Sequence, residues 1–321
     1  MPPSAIFPRL AATLVLAGVV VVTASALAAE APIAAPKAAL ELPALPAAVK
    51  ATAPANDESL PRTSPATRDD AATAATSIPP CRAPANVARL DYPLAGTARR
   101  LASNEPVKIV AIGSSSTAGA GASSPDASYP SRLAIELKQQ FPGHDITVLN
   151  RGVNGDETMD MLARFETGVI AERPDLVLWQ VGSNSVLRDR PLGPAETQIH
   201  DGVERLKAIG ADVVLIDPQF APKVITKHDA EGMVALIATE AKRTNVGLFR
   251  RFAVMRHWRE VEGLPFETFV SPDELHMNDW SYACVAKVLA GAIVEAATRS
   301  TAMAGGRGTA GSPRPASAPT P

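Results

Sequence analysis

Cysteine is scarce in this chain of 321 residues: there are two, Cys81 and Cys284, and neither lies near the N-terminus. A lipid-modified cysteine of the bacterial lipoprotein type is therefore not expected. An excess of one charge is missing as well, because 31 lysines and arginines stand against 33 aspartates and glutamates. The basic residues are scattered along the sequence, so it carries no cluster that looks like a nucleic-acid footprint. The run Gly113–Gly119 (GSSSTAG) has no lysine beside a serine or threonine and is therefore no P-loop. Gly119-Ala120-Gly121 does not complete a dinucleotide-binding fingerprint either.

Both ends lack the apolar bulk that would offset the entropy of ordering them. Residues 1–29 carry Arg9, an apolar stretch from Leu10 to Val22 and the small-x-small sequence Ala26-Leu27-Ala28, which read as a cleaved secretory signal. An uncleaved membrane anchor is the alternative, since the apolar stretch is just long enough to span. Residues 30–80 are rich in Ala and Pro without helical or strand period, and prolines from Pro32 to Pro80 interrupt any helix. They are expected to form an extended, disordered linker, and residues 302–321 a disordered tail of the same kind. What remains, 81–301, holds about 220 residues with clear apolar segments, enough for one domain with a substantial core.

Within that domain short apolar runs alternate with helical patterns. Val107–Ile112, Ile146–Leu149, Leu176–Val181, Val213–Ile216 and Val246–Phe249 are predicted strands. Helices are predicted from Tyr129 to Phe141, Thr158 to Glu172, Glu196 to Ile209, Asp229 to Thr244, Phe252 to Glu262 and Trp280 to Thr298. Strands alternating with helices of this length imply right-handed βαβ crossovers and a parallel sheet covered on both faces. The fold class is α/β, a three-layer α/β/α sandwich on a sheet of about five strands, with its site at the strands' carboxyl ends.

Four short patterns occupy those ends and the start of the last helix: Gly113-Ser114-Ser115-Ser116-Thr117, Asn150 to Gly155, Gly182-Ser183-Asn184 and Asp273-Glu274-Leu275-His276. A serine at a strand-to-helix turn is a candidate nucleophile; a serine-rich loop with no chemistry is the alternative. Glycine after the second strand lets a backbone N–H approach a substrate oxygen, and the Asn184 amide adds another donor. Ordinary βα turns use the same residues. Asp273 and His276, three apart beside Pro272, place a carboxylate where it can hold an imidazole N–H. His144, His200, His228 and His257 have no comparable setting.

Taken together, the four patterns resemble the four sequence blocks of the SGNH, or GDSL-type, serine hydrolase superfamily, over about residues 90–297. The resemblance implies that Ser115 is the nucleophile, His276 the general base and Asp273 its partner. It implies an oxyanion hole made by the Ser115 N–H, Gly155 and Asn184, with Gly155 preferred to Gly152 because Asp156 follows it. No metal or cofactor is expected. Two positions depart from the usual pattern: Ser114 stands where the first block has aspartate, and Ser185 where the third block does.

The chain is therefore expected to be a periplasmic or secreted esterase of the flavodoxin-like type. It would act on a small-molecule or glycan ester, with O-acetyl groups on envelope or extracellular polysaccharide favoured. It would have no nucleic-acid partner, and membrane contact only if the N-terminal segment stays attached. A non-catalytic polysaccharide-binding protein and an O-acyltransferase are the alternatives. Export makes a Cys81–Cys284 disulfide the natural pairing, with two separate thiols as the alternative.

Overall fold

The computed structural model describes residues 79–305. The expected signal segment, nearly all of the linker, and residues 306–321 of the tail lie outside the described residues. Five strands form one parallel sheet: β1 (Val107–Gly113), β2 (Ile146–Gly152), β3 (Leu176–Gln180), β4 (Asp212–Ile216) and β5 (Gly247–Phe249). Their order is β2-β1-β3-β4-β5, the flavodoxin-like arrangement. β1 pairs with β2 in register from Val107↔Ile146 to Gly113↔Gly152, and with β3 from Ile109↔Leu176 to Ile112↔Trp179. The order reverses between β1 and β3, and it is β1 that delivers the serine loop.

Burial explains why the strands read as unbroken apolar runs. Every residue of β3, Leu176 to Gln180, is buried, as a strand covered on both faces requires. Helices Tyr129–Gln140 and Ala95–Ala102 pack against Asp279–Gly305, while Thr158–Ala163 and Ala230–Thr244 pack against Leu192–Ala208. The last helix is long and apolar enough to cross a membrane by composition, but 61% of its apolar window is buried inside the domain. Its apolar face belongs to the core.

Two helical expectations change. The helix expected from Thr158 to Glu172 is in three pieces, Thr158–Ala163, Phe165–Gly168 and a 3-10 turn Ile170–Glu172. The break falls at Arg164, whose backbone (φ −108°, ψ 12°) leaves the helical region while its guanidinium turns to tertiary partners. The last helix runs on to Gly305, past the expected end at Thr298 and into the first residues, 302–305, of the expected disordered tail. Cys81 and Cys284 are joined by a disulfide with their Cα atoms 5.3 Å apart, tying the start of the domain to this helix.

Candidate active site

β1 ends at Gly113 and the chain turns at once into the four-residue helix Ser115–Ala118. Ser115 is its first residue, so its backbone N–H has no carbonyl one turn earlier to bond, and no hydrogen bond among the described residues takes it. Ser114, in extended conformation (φ −94°, ψ −150°), makes the bend. This turn rests directly on β2: a Cβ at Gly152 would lie 2.1 Å from the Ala118 nitrogen and 2.6 Å from the Thr117 carbonyl carbon. Only glycine permits that approach. Asn150 secures it from the side, donating through Nδ2 to the Thr117 carbonyl (2.9 Å) and accepting the Gly152 N–H (2.9 Å).

The segment before the last helix brings the base to the serine. His276 Nε2 lies 2.8 Å from Ser115 Oγ, and its Nδ1 lies 2.5 Å from Asp273 Oδ2. The second Asp273 oxygen accepts the backbone N–H groups of Leu275 (3.0 Å) and His276 (2.9 Å) and the Ser271 hydroxyl (2.7 Å). Those bonds close a turn that Glu274 completes in the left-handed region at φ 59°. Burial works to raise the Asp273 carboxyl, but the hydrogen bonds from His276, Ser271 and the Leu275 N–H outweigh it and hold the group well below the usual carboxylate range. Asp273 is thus an anion facing the imidazole. The tautomer with hydrogen on Nδ1 follows, which leaves Nε2 free to accept from Ser115.

Gly155 and Asn184 are tied to each other through Asp156. The Asn184 amide donates to the Asp156 carbonyl (2.8 Å), and Arg188 donates to the Gly155 carbonyl (3.0 Å). Gly155 sits at φ 84°, a conformation that glycine reaches without strain. The Gly152 N–H is committed to Asn150, whereas no hydrogen bond among the described residues takes the Gly155 N–H. Between the two candidates, Gly155 is the one with a donor to offer. Among the described residues no hydrogen bond joins Gly155 or Asn184 to Ser115; the two follow β2 and β3, the strands that flank β1 in the sheet.

A match to the non-GDSL lipase-like family covers residues 80–299. The chain belongs to that family. The name accords with the first block, where Ser114 replaces the aspartate of GDSL-type hydrolases. Among relatives of this non-GDSL lipase-like protein, an arylesterase of Vibrio mimicus is 32% identical over 121 residues, 38% of this chain and 59% of that protein. An acetylxylan esterase of Geobacillus stearothermophilus is 34% identical over 79 residues, 25% of this chain and 36% of the relative. Each match thus spans less than two thirds of the relative's length. In fold, the domain resembles a two-domain esterase active on acetylated mannans, with TM-score 0.56 at 20% identity over 66% of this chain and 57% of that one. An acetyl-xylooligosaccharide esterase from Geobacillus gives 0.51 at 22% identity over 58% of this chain and 94% of the other.

Several residues that hold the site were not legible in the sequence patterns. Arg164 donates to Asp156 Oδ2 (2.8 Å), the Arg151 carbonyl (2.8 Å) and the Gly113 carbonyl (3.1 Å), joining the second block to the end of β1. Asp279 accepts the backbone N–H and hydroxyl of Ser123, fixing the loop that follows the serine helix. At Ser114, where an aspartate is usual, the hydroxyl and N–H both donate to Gln180 Oε1 at 2.9 and 2.8 Å. Gln180 did carry a signal: it is the polar residue at the end of an otherwise apolar buried strand.

Proposed function

We propose that this protein is an exported serine esterase that hydrolyses carboxylic esters through Ser115, His276 and Asp273. The observation that carries the reading is the continuous contact from Asp273 through His276 to Ser115 Oγ, at 2.5 and 2.8 Å. Ser115 Oγ attacks the ester carbonyl as His276 Nε2 takes its proton, and Asp273 stabilises the imidazolium so formed. The carbonyl oxygen becomes an oxyanion held by the Ser115 N–H, the Gly155 N–H and the second N–H of Asn184, whose first is already given to Asp156. His276 returns its proton to the leaving alcohol as the carbon–oxygen bond breaks. Water then loses a proton to His276 as it attacks the acyl-enzyme, and His276 returns that proton to Ser115 Oγ as the acyl–oxygen bond breaks and the acid leaves.

The favoured substrates are O-acetyl groups on extracellular or envelope glycans. Support comes from the similarity to an acetylxylan esterase and from a disulfide that suits an oxidising compartment. The signal segment proposed in residues 1–29 would deliver the chain to that compartment. A chromogenic acetyl ester, a series of longer acyl chains and acetylated glycans form the test, with acetate release expected and shorter acyl groups preferred. Failure to release acid from any of them, or full activity in Ser115→Ala, would sink the reading; transfer of acetyl to a sugar acceptor in place of water would redirect it to an acyltransferase.

A further inference from the structure

We infer that Arg251 is a positioning residue for the Ser115–His276 pair, the hub of a closed ring of buried side chains that begins on one neighbour of the serine and ends on the other. The inference rests on the esterase reading of this site. Gln180 Oε1 accepts from Ser114, and because one of those donors is a backbone N–H, the amide oxygen must face that way. Gln180 Nε2 is thereby turned to donate to Ser183 Oγ at 3.2 Å, and the Ser183 hydroxyl donates to Gln219 Oε1 at 2.9 Å. Gln219 Oε1 also accepts from Arg251 Nη2 at 3.1 Å, and Arg251 Nη1 donates to Ser116 Oγ at 2.9 Å, which closes the ring. The third arm, Nε, donates to the Asp217 carbonyl at 3.0 Å, just past the end of β4.

Two features point to function. The ring grips the residues on either side of Ser115, and it also reaches the base, since Gln219 Nε2 donates to the carbonyl of Leu275 at 3.3 Å, one residue before His276. One guanidinium therefore bears on the placement of nucleophile and base at once. Stability offers no comparable reason for it. Arg251 is 0% exposed and its charge faces the buried carboxyl of Asp217, and a buried pair of this kind commonly adds little stability over well-packed apolar side chains in its place. Arginine also answers a geometric need, because its planar fork sends N–H groups to three separate acceptors, which a lysine ammonium on a single nitrogen does not match. All six ring side chains are 3% exposed or less, so none meets substrate. The consequence should appear in kcat and leave KM nearly unchanged.

The experiment uses the full chain, a chromogenic acetyl ester, melting temperatures and titration of reactive Ser115 by a fluorophosphonate. Ser116→Ala removes one contact with little change of volume. It is expected to keep its fold and its number of titratable sites while kcat per site falls roughly 10- to 100-fold, the range that misplacement of reacting groups produces. KM should stay within about threefold, and Arg251→Lys should lose at least as much kcat. Adding Ser116→Ala to Arg251→Lys should then change little, because neighbours in one network are not additive. If Arg251→Lys does not fold, Ser116→Ala decides alone. A Ser116→Ala enzyme with wild-type kcat per titrated site, or variants that lose only titratable sites, overturns the inference and leaves the esterase reading standing. A wild-type protein inert to both ester and fluorophosphonate overturns that reading and the inference with it.

Discussion

Ser115 sits between two other serines, and the predicted effects separate the three by what each touches. Ser115→Ala should lower ester hydrolysis by several orders of magnitude, since no acyl-enzyme can form. Ser114→Ala and Ser116→Ala should lower it far less, and fluorophosphonate should label Ser115 and neither neighbour; mass spectrometry of the labelled peptide checks this. Asn184→Ala should reduce kcat by roughly 10²–10³, the size of one oxyanion donor. A variant altered in KM alone would contradict the proposed role. Asp217 gives a prediction about pH. Burial pushes its carboxyl up to about 7, against the opposing pull of the Phe252 N–H and Arg251. Because the folded value lies above the unfolded one of about 3.9, the stability this group contributes is complete below that value and is lost as pH rises to about 7. Asp217→Asn carries no such dependence. Relative to wild type it should gain stability between pH 4 and 7, on the order of a few kcal/mol, read from denaturant unfolding across that range.

At the scale of elements, the strands were legible because burial on both faces leaves an apolar run that needs no tertiary knowledge to see. The helices were legible where one face is apolar, as in Tyr129–Gln140 and Ala230–Thr244. Short helices such as Ser115–Ala118 and Ser183–Leu187 were not, because four or five residues give no period to read; they exist where a strand end meets its neighbours. The break at Arg164 has the same origin: the side chain's bonds to Asp156, Arg151 and Gly113 outweigh one more helical turn. Two glycines show how placement decides an outcome. Gly152→Ala would force a Cβ into the backbone of the serine helix, and overpacking of that kind costs about 1–3 kcal/mol or more. Gly291, on the exposed side of the last helix with nothing within 4 Å, should gain roughly 0.5–1 kcal/mol on substitution by alanine. Melting temperatures of the two variants should move in opposite directions, and only Gly152→Ala should lose activity.

Across the whole molecule, the disulfide closes a loop with a sequence separation of 203. In the chain-entropy model a closure of that length contributes up to about 5 kcal/mol, so reduction should lower the melting temperature sharply. Intact mass after alkylation without reductant should show no modified cysteine, and two alkylated cysteines in exported protein would rule the bridge out. The sequence by itself determined the order of strands and helices, the parallel sheet and the four blocks, because each is written in local spacing: apolar runs, glycines after strands, Asp273 three residues before His276. It also identified Ser115, Gly155, Asn184, Asp273 and His276 as candidates. Only the tertiary structure decided that Ser115 and His276, 161 residues apart, stand within hydrogen-bond reach. It alone revealed that Gln180, Gln219 and Arg251 meet beneath them. The physical reason is that a buried polar group must find its partner in space, and the chain gives no local mark of where that partner will be until the sheet has brought its strand ends together.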